Sequence, residues 1–159
     1  MVDESAKGRT DTASRVVKAS PQAIYRALLD PAAVAAWLPP DGMRGEIERF
    51  EPREGGVYRM ALIYEEPNHA PRGKTSAATD IVEGRFVQLI PGKRVVQQAE
   101  FESKEPAFAG TMTITWTLSA VPDGTVVTVT CENVPEGISQ QDHDAGLGST
   151  LANLAAFTE

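Results

Sequence analysis

The chain has 159 residues, 42% hydrophobic and 23% charged, with 13 glycines and 11 prolines, the make-up of one ordinary globular domain with enough apolar content for a core. One cysteine, Cys131, and two histidines, His69 and His143, exclude an internal disulfide and a Cys/His zinc cluster. The net charge of −7 is lopsided: residues 105–159 hold seven acidic residues and no Lys or Arg, so neither nucleic acid nor an anionic membrane surface is expected as a partner.

The N-terminal run MVDESAKGRTDTASR lacks the apolar core of a signal peptide, and the longest apolar run, Ala32 to Leu38, falls far short of the roughly 18 residues that span a bilayer. A cytoplasmic protein is expected. Residues 1–14 read as a flexible segment and 15–159 as one domain. Arg15 to Lys18 is a short strand. Ser20-Pro21 then supplies an N-cap and a proline at the first helical position, predicting a helix to about Leu29 with Ile24, Tyr25 and Leu28 at helical spacing. Asp30-Pro31 repeats that chemistry for a second helix through Trp37-Leu38, and Pro39-Pro40 stops it.

From Met43 the period changes to that of a strand. Ile47 to Glu51 leads into the turn Pro52-Arg53-Glu54-Gly55-Gly56, after which Tyr58, Met60, Leu62 and Tyr64 share one face of a strand. A loop over 65–74 precedes a long strand, Thr75 to Ile90, in which Gly84 marks a bulge or bend. Pro91-Gly92 turns the chain. Arg94 to Glu102 places Val95, Gln97, Ala99 and Phe101 on one face. The clearest hairpin follows: Met112, Ile114, Trp116 and Leu118 face one way, Pro122-Asp123-Gly124 turns, and Val127, Val129 and Cys131 face inward. A terminal helix over about 140–158 is capped by Ser139 and carries Leu147, Leu151 and Leu154 as a stripe, with Phe157 close to it.

This order is α+β, a bent antiparallel sheet of six to seven strands wrapped around a long C-terminal helix, with two short helices after the first strand. Residues 20–28, Trp37-Leu38-Pro39, Glu51 to Tyr58, Gly84-Arg85-Phe86, Ile90 to Val95, Gly124 to Val129 and Gly146-Leu147, taken in that order and spacing, resemble the START-like superfamily with its helix-grip fold. Within it they are most similar to the branch named after the activator of the ninety-kilodalton heat-shock protein's ATPase. Many relatives have a tryptophan directly after the glycine that opens the terminal helix; here the run is Gly146-Leu147-Gly148.

The resemblance implies a cavity between that helix and the sheet for a small hydrophobic or amphipathic ligand. Trp37, Tyr58, Met60, Gln97, Phe101, Trp116, Leu147 and Leu151 are the expected ligand-binding residues. No catalytic residue, metal or cofactor is expected. A cyclase, dehydratase or hydrolase acting on a similar ligand is the alternative, for which Tyr64, Asp80 and Gln97 are the available polar groups; a chaperone-interaction module is the third reading. His143 has no adjacent nucleophile signature, Cys131 reads as a small inward hydrophobe, and Glu65-Glu66 as a solvated pair beside a loop.

Overall fold

A computed structural model describes residues 8–39, 42–65 and 79–159. Its elements, in chain order, are β1 (Arg9–Val17), α1 (Pro21–Leu28), α2 (Pro31–Trp37), β2 (Met43–Phe50), β3 (Val57–Tyr64), β4 (Thr79–Ile90), β5 (Arg94–Phe101), β6 (Met112–Val121), β7 (Gly124–Val134) and α3 (Gln140–Thr158). The seven strands form one antiparallel sheet in the order β1-β7-β6-β5-β4-β3-β2. The expected loop beyond Glu65, and the expected strand residues 75–78, lie outside the described residues.

All three helices start where their caps predict. The Ser20 side chain accepts from the Ala23 N–H, Asp30 from Ala32, and Ser139 from Asp142, each satisfying an amide that the first helical turn leaves without a partner. Pro21 and Pro31 follow the first two caps, where a missing N–H costs nothing.

Two expectations are corrected. The first strand begins at Arg9, so residues 9–14 are paired with β7 and do not belong to a flexible segment. The second concerns Gly84. The register shift in the β4–β5 pair lies between Phe86 and Gln88, around the half-exposed Val87, while Gly84 is in regular register opposite Tyr58 and Ala99. Its missing side chain has another cause. A Cβ there would sit 1.9 Å from the Gln98 carbonyl oxygen and 2.7 Å from the Tyr58 hydroxyl oxygen. The Tyr58 ring lies across this glycine to donate its O–H to the Gln98 carbonyl at 3.0 Å.

One face of the sheet is apolar and concave. Val95, Ala99, Met112, Trp116, Leu118, Val127, Val129 and Cys131 are buried on it, at the alternate positions the strand period requires. The other face is polar, and Arg59 on β3 reaches Glu48 on β2, Glu83 on β4 and Glu102 just after β5 there. Trp37 closes the core from the helix side: its indole N–H donates to the Ala27 carbonyl at 2.9 Å and its ring meets Trp116 edge-on at 5.5 Å.

Candidate functional site

The site is framed by the way α3 is tied down. At its start, His143 Nδ1 lies 2.6 Å from Asp11 Oδ2, and Arg9 grips the same carboxylate with two N–H donors at 2.9 Å while also donating to the Ile138 carbonyl. At its end, the Lys18 amide donates to the Glu159 carboxylate. Sixteen residues of helix and seven of strand both span roughly 24 Å, so α3 and β1 run side by side with both ends matched. Midway, Thr150 Oγ1 donates to the Leu38 carbonyl and Asn153 Nδ2 to the Pro39 carbonyl. The end of α2 in turn sits against β2, where Pro39 lies 3.0 Å from the position a Gly45 Cβ would take. The helix thus bridges the two edges of the curled sheet.

The two halves of α3 are packed differently. Thr150, Leu151, Leu154 and Ala155 are buried, and they hold the second half. Leu147 in the first half is half-buried, and a side chain placed at Gly146 or Gly148 would meet nothing within 4 Å. Phe157, expected close to the buried stripe, is 50% exposed.

The residues expected to line a cavity divide along the same boundary. Trp37, Tyr58 and Leu151 are each 2% exposed, and Met60 and Trp116 are also buried. A side chain lining an empty space wide enough for water would show surface to it, so these are filled core in this structure. Gln97, Phe101 and Leu147 keep partial exposure. Phe101 and Leu147, like Leu62 and Ile114, are partly buried and pack against the core. Ile114 and Leu62 were not among the expected site residues, although the strand period put both on the inward face. Gln97 is directly opposite Ile114, and its Oε1 accepts the Trp116 indole N–H at 3.0 Å.

The polar groups nearby are Asp80, Tyr64 and the latch at Asp11. Asp80 is buried on the concave side, opposite Leu62 in the register. Burial, together with the charges of Asp80 and of Asp142 on α3, pushes the Tyr64 hydroxyl above its ordinary range, so it stays protonated at neutral pH. The Cys131 thiol is pushed up to about 12 by burial and by the Asp11 charge, which makes it inert. For Asp11, burial opposes ionisation, but the hydrogen bonds and charges of Arg9 and His143 outweigh it and hold the carboxyl below its ordinary range. The Asp11–His143 pair is a latch between β1 and α3, with the inert Cys131 opposite Asp11 in the register. No group of three or more His, Cys, Asp or Glu among the described residues is placed to hold a metal ion. No described helix is long and apolar enough to cross a membrane.

A surface groove of about 560 Å³ runs between α1 and the end of α3, lined by Tyr25, Arg26, Leu29 and Phe157. It is open to solvent and lies away from the concave face.

The two glycines set the stability of the helix over the concave face. Each costs a helix interior about 1 kcal/mol relative to alanine, and neither is compensated by close packing. Amides of residues 143–149 are therefore expected to exchange with deuterium well before those of 151–157. A Gly146→Ala, Gly148→Ala variant, which has room for both methyl groups, should slow the early exchange by about tenfold or more. Uniform protection along α3 would contradict this.

Comparison with known proteins places the chain. A family model described as Activator of Hsp90 ATPase homolog 1-like protein matches residues 18–159. A crystal structure of a protein from Chromobacterium violaceum is 31% identical, with a TM-score of 0.83, covering 94% of this chain and 96% of that one. A protein from Rhodobacter sphaeroides shares the fold at 21% identity and a TM-score of 0.75, covering 94% and 92%. An AHSA1-like protein from Aeromonas hydrophila, solved by NMR, does so at 15% identity and 0.70, covering 94% and 91%. A comparison with curated proteins finds no match.

Proposed function

The chain belongs to the Activator of Hsp90 ATPase homolog 1-like family, and from that premise we propose that it binds a small apolar or amphipathic molecule between the first half of α3 and the concave face of the sheet. The observation that carries this reading is the incomplete cover at that place. Leu62, Phe101, Ile114 and Leu147 stay half-buried beside a core in which Trp37, Tyr58 and Leu151 are sealed. The helix above them carries two glycines whose surroundings are open. A ligand completes the burial of these side chains, each gaining part of the roughly 1.5–3 kcal/mol that full burial of a large apolar side chain contributes. Entry proceeds by opening the first turns of α3, the least stable part of the helix, while the second half keeps its grip. Gln97, on the central strand, and Tyr64, at the end of β3, supply polar contacts along this wall.

The reading is tested with the uncharged fluorophore N-phenyl-1-naphthylamine. The protein is expected to take it up saturably, one molecule per chain, with a blue-shifted emission. Phe101→Glu should weaken that uptake at least about tenfold, because it sets a charge in the apolar wall. Phe157→Glu, in the distant groove, should leave it unchanged. Uptake that does not saturate, or that Phe157→Glu abolishes and Phe101→Glu does not, would refute the site.

A further inference from the structure

Gln97 holds the central strand of the seven, and its side chain rises from the concave face between the buried Val95 and Ala99. Its orientation follows from the chemistry of its partner. An indole nitrogen only donates, so the atom facing Trp116 Nε1 at 3.0 Å is the amide oxygen. The amide is planar and trigonal, so its NH2 group points away from Trp116. That Nε2 has no partner among the described residues. Every described side-chain N or O atom that is shut off from solvent does have one, so the Gln97 Nε2 keeps contact with solvent. A donor held in one orientation at the middle of a concave, mostly apolar wall is a recognition element.

We infer that the ligand presents a neutral carbonyl-type oxygen, that of a ketone, ester or quinone, to Gln97 Nε2, and that Trp116 is the positioning residue for this contact. The inference rests on the ligand site proposed above and names the class of molecule it takes. A donor-only ligand group finds no acceptor in Nε2. A carboxylate is disfavoured because the chain carries a net charge of −7 and residues 105–159 contribute no cation. A purely hydrocarbon ligand leaves Nε2 without the water it hydrogen-bonds in the empty protein, which costs affinity. The discrimination is therefore by a single oriented hydrogen bond, with the apolar wall indifferent to it.

The test uses three probes of one shape: 6-propionyl-2-(dimethylamino)naphthalene, its 6-propyl counterpart without the carbonyl, and 6-(dimethylamino)naphthalene-2-carboxylate. The full chain is expected to bind the ketone about five- to tenfold tighter than the hydrocarbon, and the carboxylate weakest. The bound ketone's carbonyl stretch should shift to lower frequency, as hydrogen bonding requires. Gln97→Glu, measured at pH 8, keeps an acceptor for Trp116 and replaces the free donor with an acceptor, so the ketone should bind more weakly than the hydrocarbon. In a Gln97→Leu, Trp116→Phe variant, which removes both partners and strands neither, the ketone preference should disappear, the two probes binding alike. Equal binding of ketone and hydrocarbon by the parent, or a ketone preference that survives in Gln97→Glu, would overturn the carbonyl assignment and leave the ligand site standing. Failure of the parent chain to bind any of the three would overturn both.

Discussion

Replacing Asp11 with alanine is expected to destabilise the protein by about 3 kcal/mol, the lower end of the range for removing one member of a buried ion pair. The Asp11 side chain is fully buried, and its two oxygens take the Arg9 fork and the His143 ring, which is 15% exposed. Alanine leaves both partners without their acceptor. The loss stays at the low end because Arg9, 31% exposed, can turn its guanidinium to water. Asp11→Asn retains one acceptor oxygen and should lose less, and it isolates the charge. The folded carboxyl is held below its ordinary value of 3.8. Its contribution is thus complete above that pH and disappears as the pH falls through the lower, folded value. Urea titrations of the parent between neutral pH and pH 2 should show stability falling in that acid window by more than in Asp11→Asn. Identical acid profiles would show that Asp11 is not ionised in the latch.

The second large effect is expected at Leu151, which is 2% exposed beneath the part of α3 that grips the core. Leu151→Ala should cost about 2–5 kcal/mol, the transfer of the lost side chain plus the cavity it leaves. Phe157→Ala, six residues on and 50% exposed, should cost less than about 1 kcal/mol. The pair distinguishes a helix that clamps the sheet through one face from one that merely lies on it. Equal losses, or a loss below about 0.5 kcal/mol at Leu151, would contradict the clamp.

Where local chemistry decides structure, the sequence was sufficient. Ser20-Pro21, Asp30-Pro31 and Ser139 each start a helix because cap and proline preferences act within three residues. The hairpin of β6 and β7 follows from alternation alone. Two features depended on partners remote in the chain. In β1 the inward position that should have been apolar is Asp11, made tolerable by His143 far along the chain, so the strand's first half looked like a polar tail. At Gly84 the glycine signal was visible and its cause was not, since the ring that needs the space belongs to Tyr58 on the neighbouring strand.

The candidate site was legible to the same degree. Strand period identified the inward face, Phe101 and Gln97 included, but period does not tell a filled stretch of that face from an unfilled one. That depends on how far α3 reaches, and the reach is set by the anchors at Asp11, Leu38, Pro39 and Lys18, none of which a pattern reveals. Trp37 and Leu151 were therefore grouped with Leu147, although they fall on opposite sides of the boundary between packed and open helix.

The pairing of β1 with α3 also governs when this protein can fold. The contacts that join them, Asp11 with His143 and Lys18 with Glu159, close loops of more than a hundred residues, and such closure is slow relative to local turns. On a ribosome adding roughly 5–20 residues per second, α3 emerges on the order of ten seconds after β1. Throughout that interval the apolar side of the nascent sheet has no clamp, and the charged Asp11 has no histidine to meet. The chain is most exposed to aggregation just before its last helix is made, and refolding yields should be limited by the docking of that helix after the strands have already found one another.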